Sequence, residues 1–164
     1  MELPDATKIR LQSQHLTIND LFSRLSEDQY DQQIIPEKWT IHQQLAHLVR
    51  YQEMFFERIQ KIMVSFNAVF QPYVAEEDAL FREMAQMNVP ELLKKLQEMR
   101  ETINSFYLGL NSGELVRKGR HTQLGNFSIA LWAEFFLLHE AHHIFQILCM
   151  SKHISGQGPE SAAD

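Results

Sequence analysis

The sequence has few of the residues that break or cross-link a chain. Cys149 is its single cysteine, so no internal disulfide can form, which is typical of a reducing environment. Six glycines and five prolines in 164 residues argue against a disordered, collagen-like or loop-dominated chain. The most apolar stretch, residues 129–150, is interrupted by glutamates and histidines, and residues 1–5 show no basic or apolar leader pattern. We therefore expect a cytoplasmic protein without a membrane span.

Positive charge is also scarce. Fifteen lysines and arginines stand against 21 aspartates and glutamates, which gives a net charge of -6. No basic cluster is denser than residues 117–120, whereas a protein that binds nucleic-acid phosphates usually presents a basic face. We therefore expect no nucleic-acid partner.

Apolar residues recur at helical spacing along most of the chain. This periodicity predicts four long helices, over residues 5–26, 41–66, 88–110 and 126–152. A short helix follows residues 76–78 in the second connection, and no segment reads convincingly as a strand. The prediction is an all-α protein: one four-helix bundle domain over residues 1–152, a short extra helix between helices two and three, and a flexible tail over residues 153–164.

Two helix starts carry clear capping signals. Thr40 with Gln43 forms a capping-box pattern before the second helix, and Asn88 followed by Pro90 begins the third. The long connection between these helices leaves room for a crossover, so the sequence leaves the topology open.

The chemistry is concentrated in the fourth helix. His139 and His143 are four residues apart, so their rings lie on one face, among mostly apolar neighbours. Two buried imidazoles are costly unless their lone pairs are bound, and a divalent metal does this well. Hydrogen-bonded core histidines are the alternative. His142 points away and is expected at a helix contact or the surface.

Two motif matches in this helix are weak. His139-Glu140-x-x-His143 fits the zincin pattern, but the few residues that follow offer only Glu160 and Asp164 as carboxylate ligands. Glu140-x-x-His143 fits a di-iron half-site, yet no other histidine has a glutamate three residues before it.

A third ligand is needed, and His47 in the second helix is the best candidate because apolar residues flank it. A satisfied core histidine is the alternative here too. His42 is expected to be exposed near its capped helix end. The remaining histidines have poorer contexts: His15, His121 and His153.

Residues in three places together resemble the DinB-like superfamily. They are Pro36-x-x-Trp39-Thr40-Ile41, then Leu45-Ala46-His47-Leu48, and late in the chain His139-x-x-His142-His143-x-x-Gln146-Ile147. Their order and spacing fit from about Leu11 to Met150. The resemblance implies a four-helix bundle with a metal held by His47, His139 and His143. The family name comes from DNA-damage induction and implies no DNA binding.

The same resemblance implies a function. Members include S-transferases that use bacillithiol or mycothiol, proteins described as metal-dependent hydrolases, and many homodimers. For this chain it suggests a divalent metal (zinc or nickel foremost, iron or manganese as alternatives), a small-molecule substrate, a low-molecular-weight thiol as a further cofactor, and a homodimer.

Three protein ligands would leave metal positions open for a water or a thiol. Glu53, Glu134 and Glu140 are candidates for acid–base chemistry, but none stands out, so no catalytic residue is assigned. Cys149 is expected to be an inert core thiol. Two alternatives stay open: a non-enzymatic, partner-binding bundle with a structural or vestigial metal, and a bundle that binds no metal.

Overall fold

A computed structural model describes residues 2–156. The helices in this range are α1 (Asp5–Ser13), α2 (Leu16–Phe22), α3 (Glu27–Tyr30), α4 (Ile41–Val64), α5 (Ala79–Met84), α6 (Val89–Gly109), α7 (Ser112–Leu115) and α8 (Ile129–Ile154). The strands are β1 (Val69–Phe70), β2 (Lys118–His121) and β3 (Gly125–Ser128), and a 3₁₀ turn covers Ala75–Glu77. The N-terminal helices with α4, α6 and α8 form the predicted four-helix bundle, and α5 is the expected extra helix.

Helices α4 and α8 run antiparallel and pack along their length. Gln44 near the start of α4 bonds to Gln146 near the end of α8, at 2.8 Å. Further along α4, Phe55 stacks on Phe136, which is earlier in α8, with 4.4 Å between ring centroids. Residues separated by about ninety positions are therefore neighbours along this whole interface.

Helices α4 and α6, in contrast, run parallel. Gln52 bonds to Arg100, and Phe56 meets Phe106 one to two turns later in both helices. Parallel neighbours cannot be joined by a tight turn, so residues 65–88 form the crossover and carry β1, the 3₁₀ turn and α5. The N-terminal helix α1 packs against α6 and α8, diagonally opposite α4.

The capping predictions are confirmed. The Thr40 hydroxyl accepts from the backbone N–H of Gln43, whose side-chain oxygen accepts from the backbone N–H of Thr40. Asn88 caps α6 by accepting from the backbone N–H of Glu91 at 2.9 Å, with Pro90 in the first turn. These bonds satisfy amides that the helix itself leaves unpaired.

The first predicted helix, over residues 5–26, is divided. The backbone turns at Gln14 and His15, between α1 and α2, and the second piece ends at Phe22. The carbonyl of Leu11, which would bond within a continuous helix, accepts instead from the Arg100 guanidinium at 3.2 Å. A buried tertiary contact has therefore replaced a helical one.

The expectation of no strand is wrong in one place. β2 pairs in parallel with β1 and antiparallel with β3, so the predicted start of the fourth helix at residue 126 is strand instead. Gly119 of β2 lies against Ile62 and Phe70, and a Cβ there would stand 2.6 Å from the Ile62 side chain. The sheet thus covers one end of the bundle, and at position 119 only glycine fits without a clash.

The core has two apolar clusters. One, around Phe55, Trp132 and Phe136, lies towards the sheet. The other, around Leu45 and Leu92, lies towards the opposite end. None of the helices within residues 2–156 has the length and apolarity needed to cross a bilayer. Helix α8 continues to residue 154, and residues 157–164 of the predicted tail lie outside the described residues.

Candidate metal centre

Three histidines meet between α4 and α8. The capped start of α4 sets its register, so His47 is on the face turned to α8, where it is buried. On α8, His139 and His143 are one turn apart and project towards α4. We call these residues, His47, His139 and His143, the histidine trio.

The spacing of the trio suits one small cation. The Nε2 atom of His139 lies 3.3 Å from the Nε2 of His47 and 3.3 Å from the Nε2 of His143. Ligand atoms of all three rings lie within 4.8 Å of one another. Two nitrogens bound tetrahedrally to zinc, at about 2.0–2.1 Å from it, are themselves about 3.3 Å apart. The donor set therefore fits a divalent metal, and sequence reasoning selected the same three residues.

The rings are held in the neutral form that binds metals. Burial, and then the repulsion that a protonated His143 would exert, lowers the pKa of His47 to about 3. Burial and then its histidine neighbours lower the pKa of His139 to about 2. Burial and His142 lower the pKa of His143 to about 4. Desolvation penalises an imidazolium, so lone pairs are available at neutral pH.

Hydrogen bonding distinguishes one member of the trio. The Nδ1 of His143 lies 2.6 Å from the side-chain oxygen of Gln44. The buried Nδ1 atoms of His47 and His139 have no hydrogen-bond partner within residues 2–156. Neutral rings sharing short N···N contacts cannot all satisfy one another, because each has a single N–H. An ion bound at the Nε2 atoms would relieve this conflict.

Aromatic rings surround the trio and exclude water from most of it. Tyr51 stacks on His139 with 3.6 Å between centroids. Trp39, which precedes α4, lies 4.8 Å from the His47 ring and also faces His143. Tyr73 from the crossover stacks on His47 at 5.7 Å. A low-dielectric wall of this kind strengthens electrostatic interactions within the site.

One side of the site is open to a cavity of about 510 Å³. His143 and Gln44 line it, so the cavity reaches the trio. The other lining residues are Ile35, Glu37, Lys38, Trp39, Glu76, Phe145, Gln146, Cys149 and Met150. This volume is in the range of small-molecule sites.

The three glutamates considered for acid–base chemistry are engaged elsewhere. Glu140 is buried on another face of α8 and pairs with the buried guanidinium of Arg100. Glu134 bonds to side chains of α1. Glu53 pairs with Arg50 at 3.5 Å. Glu140 therefore does not occupy the position of a zincin base.

The structure agrees with one expectation about a single residue and contradicts two others. His142 is exposed, as expected, and bonds to Gln146 at 2.8 Å. His42 is largely buried rather than exposed, because its ring bonds to Asp31 and to the Met87 carbonyl. Cys149 is only half-buried and lines the cavity, so the expectation of a core thiol is not met.

The remaining histidines do not join the trio. His15 is buried and bonds to Gln97, and burial lowers its pKa to about 4. His121 accepts backbone N–H groups of the β2–β3 turn. His153 is exposed near the end of α8.

Sequence reasoning missed one residue of the site, Gln44. A neutral amide has no signature of its own. Its position three residues before His47, on the same helical face, was the available signal.

A match to a protein-family profile shows the family of this chain. The sequence profile of the DinB superfamily matches residues 11–147. The chain belongs to the DinB superfamily. No functionally curated protein matched the chain.

Several solved structures share the fold of this chain at low sequence identity. The chain is similar to YfiT from Bacillus subtilis, described as "a probable metal-dependent hydrolase with an unusual four-helix bundle topology" (17% identity, 92% of this chain and 87% of that chain, TM-score 0.79). It is also similar to the DinB-like protein YjoA from Bacillus subtilis (13% identity, 92% of each chain, TM-score 0.64). A conserved protein from Enterococcus faecalis matches at 12% identity over 95% of this chain and 99% of that chain, with a TM-score of 0.69.

Proposed function

We propose that this DinB superfamily member is a metal-dependent enzyme acting on a small molecule. The observation that supports it is the histidine trio, whose Nε2 atoms converge beside a cavity of about 510 Å³. His47, His139 and His143 would hold one divalent ion, zinc or nickel foremost and iron or manganese as alternatives. When bound, such an ion polarises a carbonyl or phosphoryl oxygen or stabilises a thiolate.

Hydrolysis is the reaction that the likeness to YfiT favours. Within residues 2–156, Glu37 and Glu76 are the carboxylates that line the cavity, so either could accept a proton there. The apolar part of the lining, Trp39 with Ile35, would hold the body of the substrate. A low-molecular-weight thiol as co-substrate, with transfer of its sulfur to an electrophile, is the alternative within the same site.

Metal binding is tested first. Protein prepared without a polyhistidine tag is offered Zn²⁺ or Ni²⁺, washed and measured for bound metal by mass spectrometry. We expect about one equivalent for the native chain and loss of binding in His47→Gln, His139→Gln and His143→Gln. His153→Gln is the matched control, because His153 is exposed and outside the trio. Less than about a tenth of an equivalent in the native chain would refute the metal site.

Activity is tested on the metal-loaded protein. A panel of esters, amides and lactones tests hydrolysis, and electrophiles offered with a thiol test S-transfer. Turnover that disappears with a chelator and returns with metal supports an enzyme, and the substrate class separates the two reactions. A bound metal that only raises the melting temperature, with no turnover on either panel, would instead support a structural metal.

We also propose that the protein is a homodimer. Leu131, Leu138 and Phe145 are seven residues apart on α8 and therefore share a face, and all three are exposed. Burial of this face in a second copy would remove apolar surface from water. Light scattering should give twice the monomer mass for the native chain and the monomer mass for Leu138→Glu. A monomeric native chain at tens of micromolar would contradict the proposal.

A further inference from the structure

We propose that Gln44 is a positioning residue that fixes the ring of His143 in its metal-binding tautomer. The inference deepens the proposed function and rests on it, because it concerns how one member of the histidine trio is prepared for a metal. Gln44 is on α4, one turn before His47, and the ring that it contacts is on α8. One helix would thus supply both a ligand and the group that orients a second ligand.

The contact between Gln44 and His143 determines where the proton is. The side-chain oxygen of Gln44 lies 2.6 Å from the Nδ1 of His143, and both residues are buried. An amide oxygen only accepts, so the N–H of the neutral ring is at Nδ1. Its lone pair is then at Nε2, the atom that lies 3.3 Å from the Nε2 of His139.

A second amide holds Gln44 in this orientation. The NH₂ group of Gln44 donates to the side-chain oxygen of Gln146 at 2.8 Å. The NH₂ group of Gln146 lies 2.8 Å from the Nε2 of His142, which accepts. Every donor in this sequence of bonds meets an acceptor. A flipped Gln44 amide would instead turn its NH₂ group towards His143 and its oxygen towards the oxygen of Gln146.

The other two members of the trio lack such a bond. The Nδ1 atoms of His47 and His139 have no hydrogen-bond partner in the part of the chain that the structure describes. Aromatic stacking by Trp39 and Tyr51 restrains these rings without selecting a tautomer. Loss of the Gln44 bond would therefore remove the one contact within residues 2–156 that selects a tautomer in the trio. Such outer contacts usually change metal affinity by about 10–100-fold.

Two variants test the inference. Gln44→Leu keeps the size of the side chain and removes the acceptor, whereas Gln44→Glu keeps the acceptor. Gln146→Leu removes only the outer link, so Gln44 keeps its acceptor for His143 and loses one of the two contacts that orient it. Melting curves in chelator identify any variant that fails to fold. If Gln44→Leu does not fold, the His143 tautomer of the native chain still tests the inference.

The first readout is ¹⁵N NMR of the histidine rings in metal-free protein. We expect the Nδ1–H tautomer for His143 in the native chain and in Gln44→Glu, and a tautomer mixture in Gln44→Leu. The second readout is Zn²⁺ affinity, measured by chelator competition without substrate. We expect Gln44→Leu to bind about 10–100-fold more weakly, with Gln44→Glu and Gln146→Leu closer to the native chain.

Opposite results separate the two proposals. An Nε2–H tautomer in the native chain, or equal Zn²⁺ affinity in folded Gln44→Leu, would overturn the role of Gln44 and leave the metal site standing. A native chain that has the Nδ1–H tautomer but takes up no metal would overturn the proposed function, and the metal-positioning role with it.

Discussion

Replacing Glu140 with glutamine should destabilise the protein strongly and leave the histidine trio intact. Glu140 and Arg100 are almost completely buried, with side-chain exposures of 1% and 0%. The glutamine has nearly the same shape but removes the only negative charge in contact with this guanidinium among the described residues. Arg100 would retain the neutral acceptors Gln52 and the Leu11 carbonyl.

The cost follows from leaving a buried charge without a counter-charge. Breaking such a pair typically lowers the free energy of unfolding by about 3–5 kcal/mol. At about 2–4 °C per kcal/mol for a domain of this size, the melting temperature should fall by roughly 6–20 °C. The double variant Glu140→Leu with Arg100→Met should lose less stability than Glu140→Gln alone, because neither charge remains.

Urea unfolding in the presence of a chelator measures this loss. Glu134→Gln is the matched control on α8, since its pair with Arg10 is about one-third exposed and should be worth at most about 1 kcal/mol. Zn²⁺ uptake and turnover should be unchanged in folded Glu140→Gln, because Glu140 faces Arg100 and not the histidine trio. A loss below about 1 kcal/mol would refute the energetic reasoning, and a folded, metal-loaded but inactive variant would restore Glu140 as a zincin-type base.

Further predictions concern pH, the sheet and a helix cap. The pKa values of the trio lie below 6.5 in the folded state, so the unfolded chain binds more protons than the folded chain in this pH range. The metal-free protein should therefore lose stability as pH falls from about 6.5 towards about 4. Equal free energies of unfolding in urea across this range would contradict the prediction. Gly119→Ala should cost about 1–3 kcal/mol through its clash with Ile62, while Gly109→Ala, with open space around it, should be tolerated in the same thermal melts. Thr40→Ala should cost about 1 kcal/mol in urea unfolding by removing the cap of α4, and an unchanged midpoint would contradict the role of that cap.

The fold class and the trio could be predicted because they depend on local spacing. A separation of four residues places His139 and His143 on one side of any helix, whatever the helix packs against. The caps Thr40 and Asn88 are equally local, since each bonds within three residues of itself. The prediction of His47 also depended on the apolar residues that flank it and on the resemblance to the DinB-like superfamily.

What could not be predicted depends on distant partners. The break after α1 arises because Arg100, almost ninety residues away, takes the carbonyl of Leu11. The β2 strand is short and mostly polar, so it shows little of the apolar periodicity that would predict a strand. The role of Gln44 and the exposure of Cys149 become visible only when α4 and α8 are side by side.

The histidine trio lies where the two apolar clusters of the core meet. His47 contacts Tyr51 of the sheet-side cluster and Phe81 of the other, and α8 crosses both. An ion bound there would link the two clusters, which otherwise form separate buried cores. Without the ion, the contact between the two clusters should open more readily, so added protease should cleave the metal-free protein faster than the metal-loaded protein.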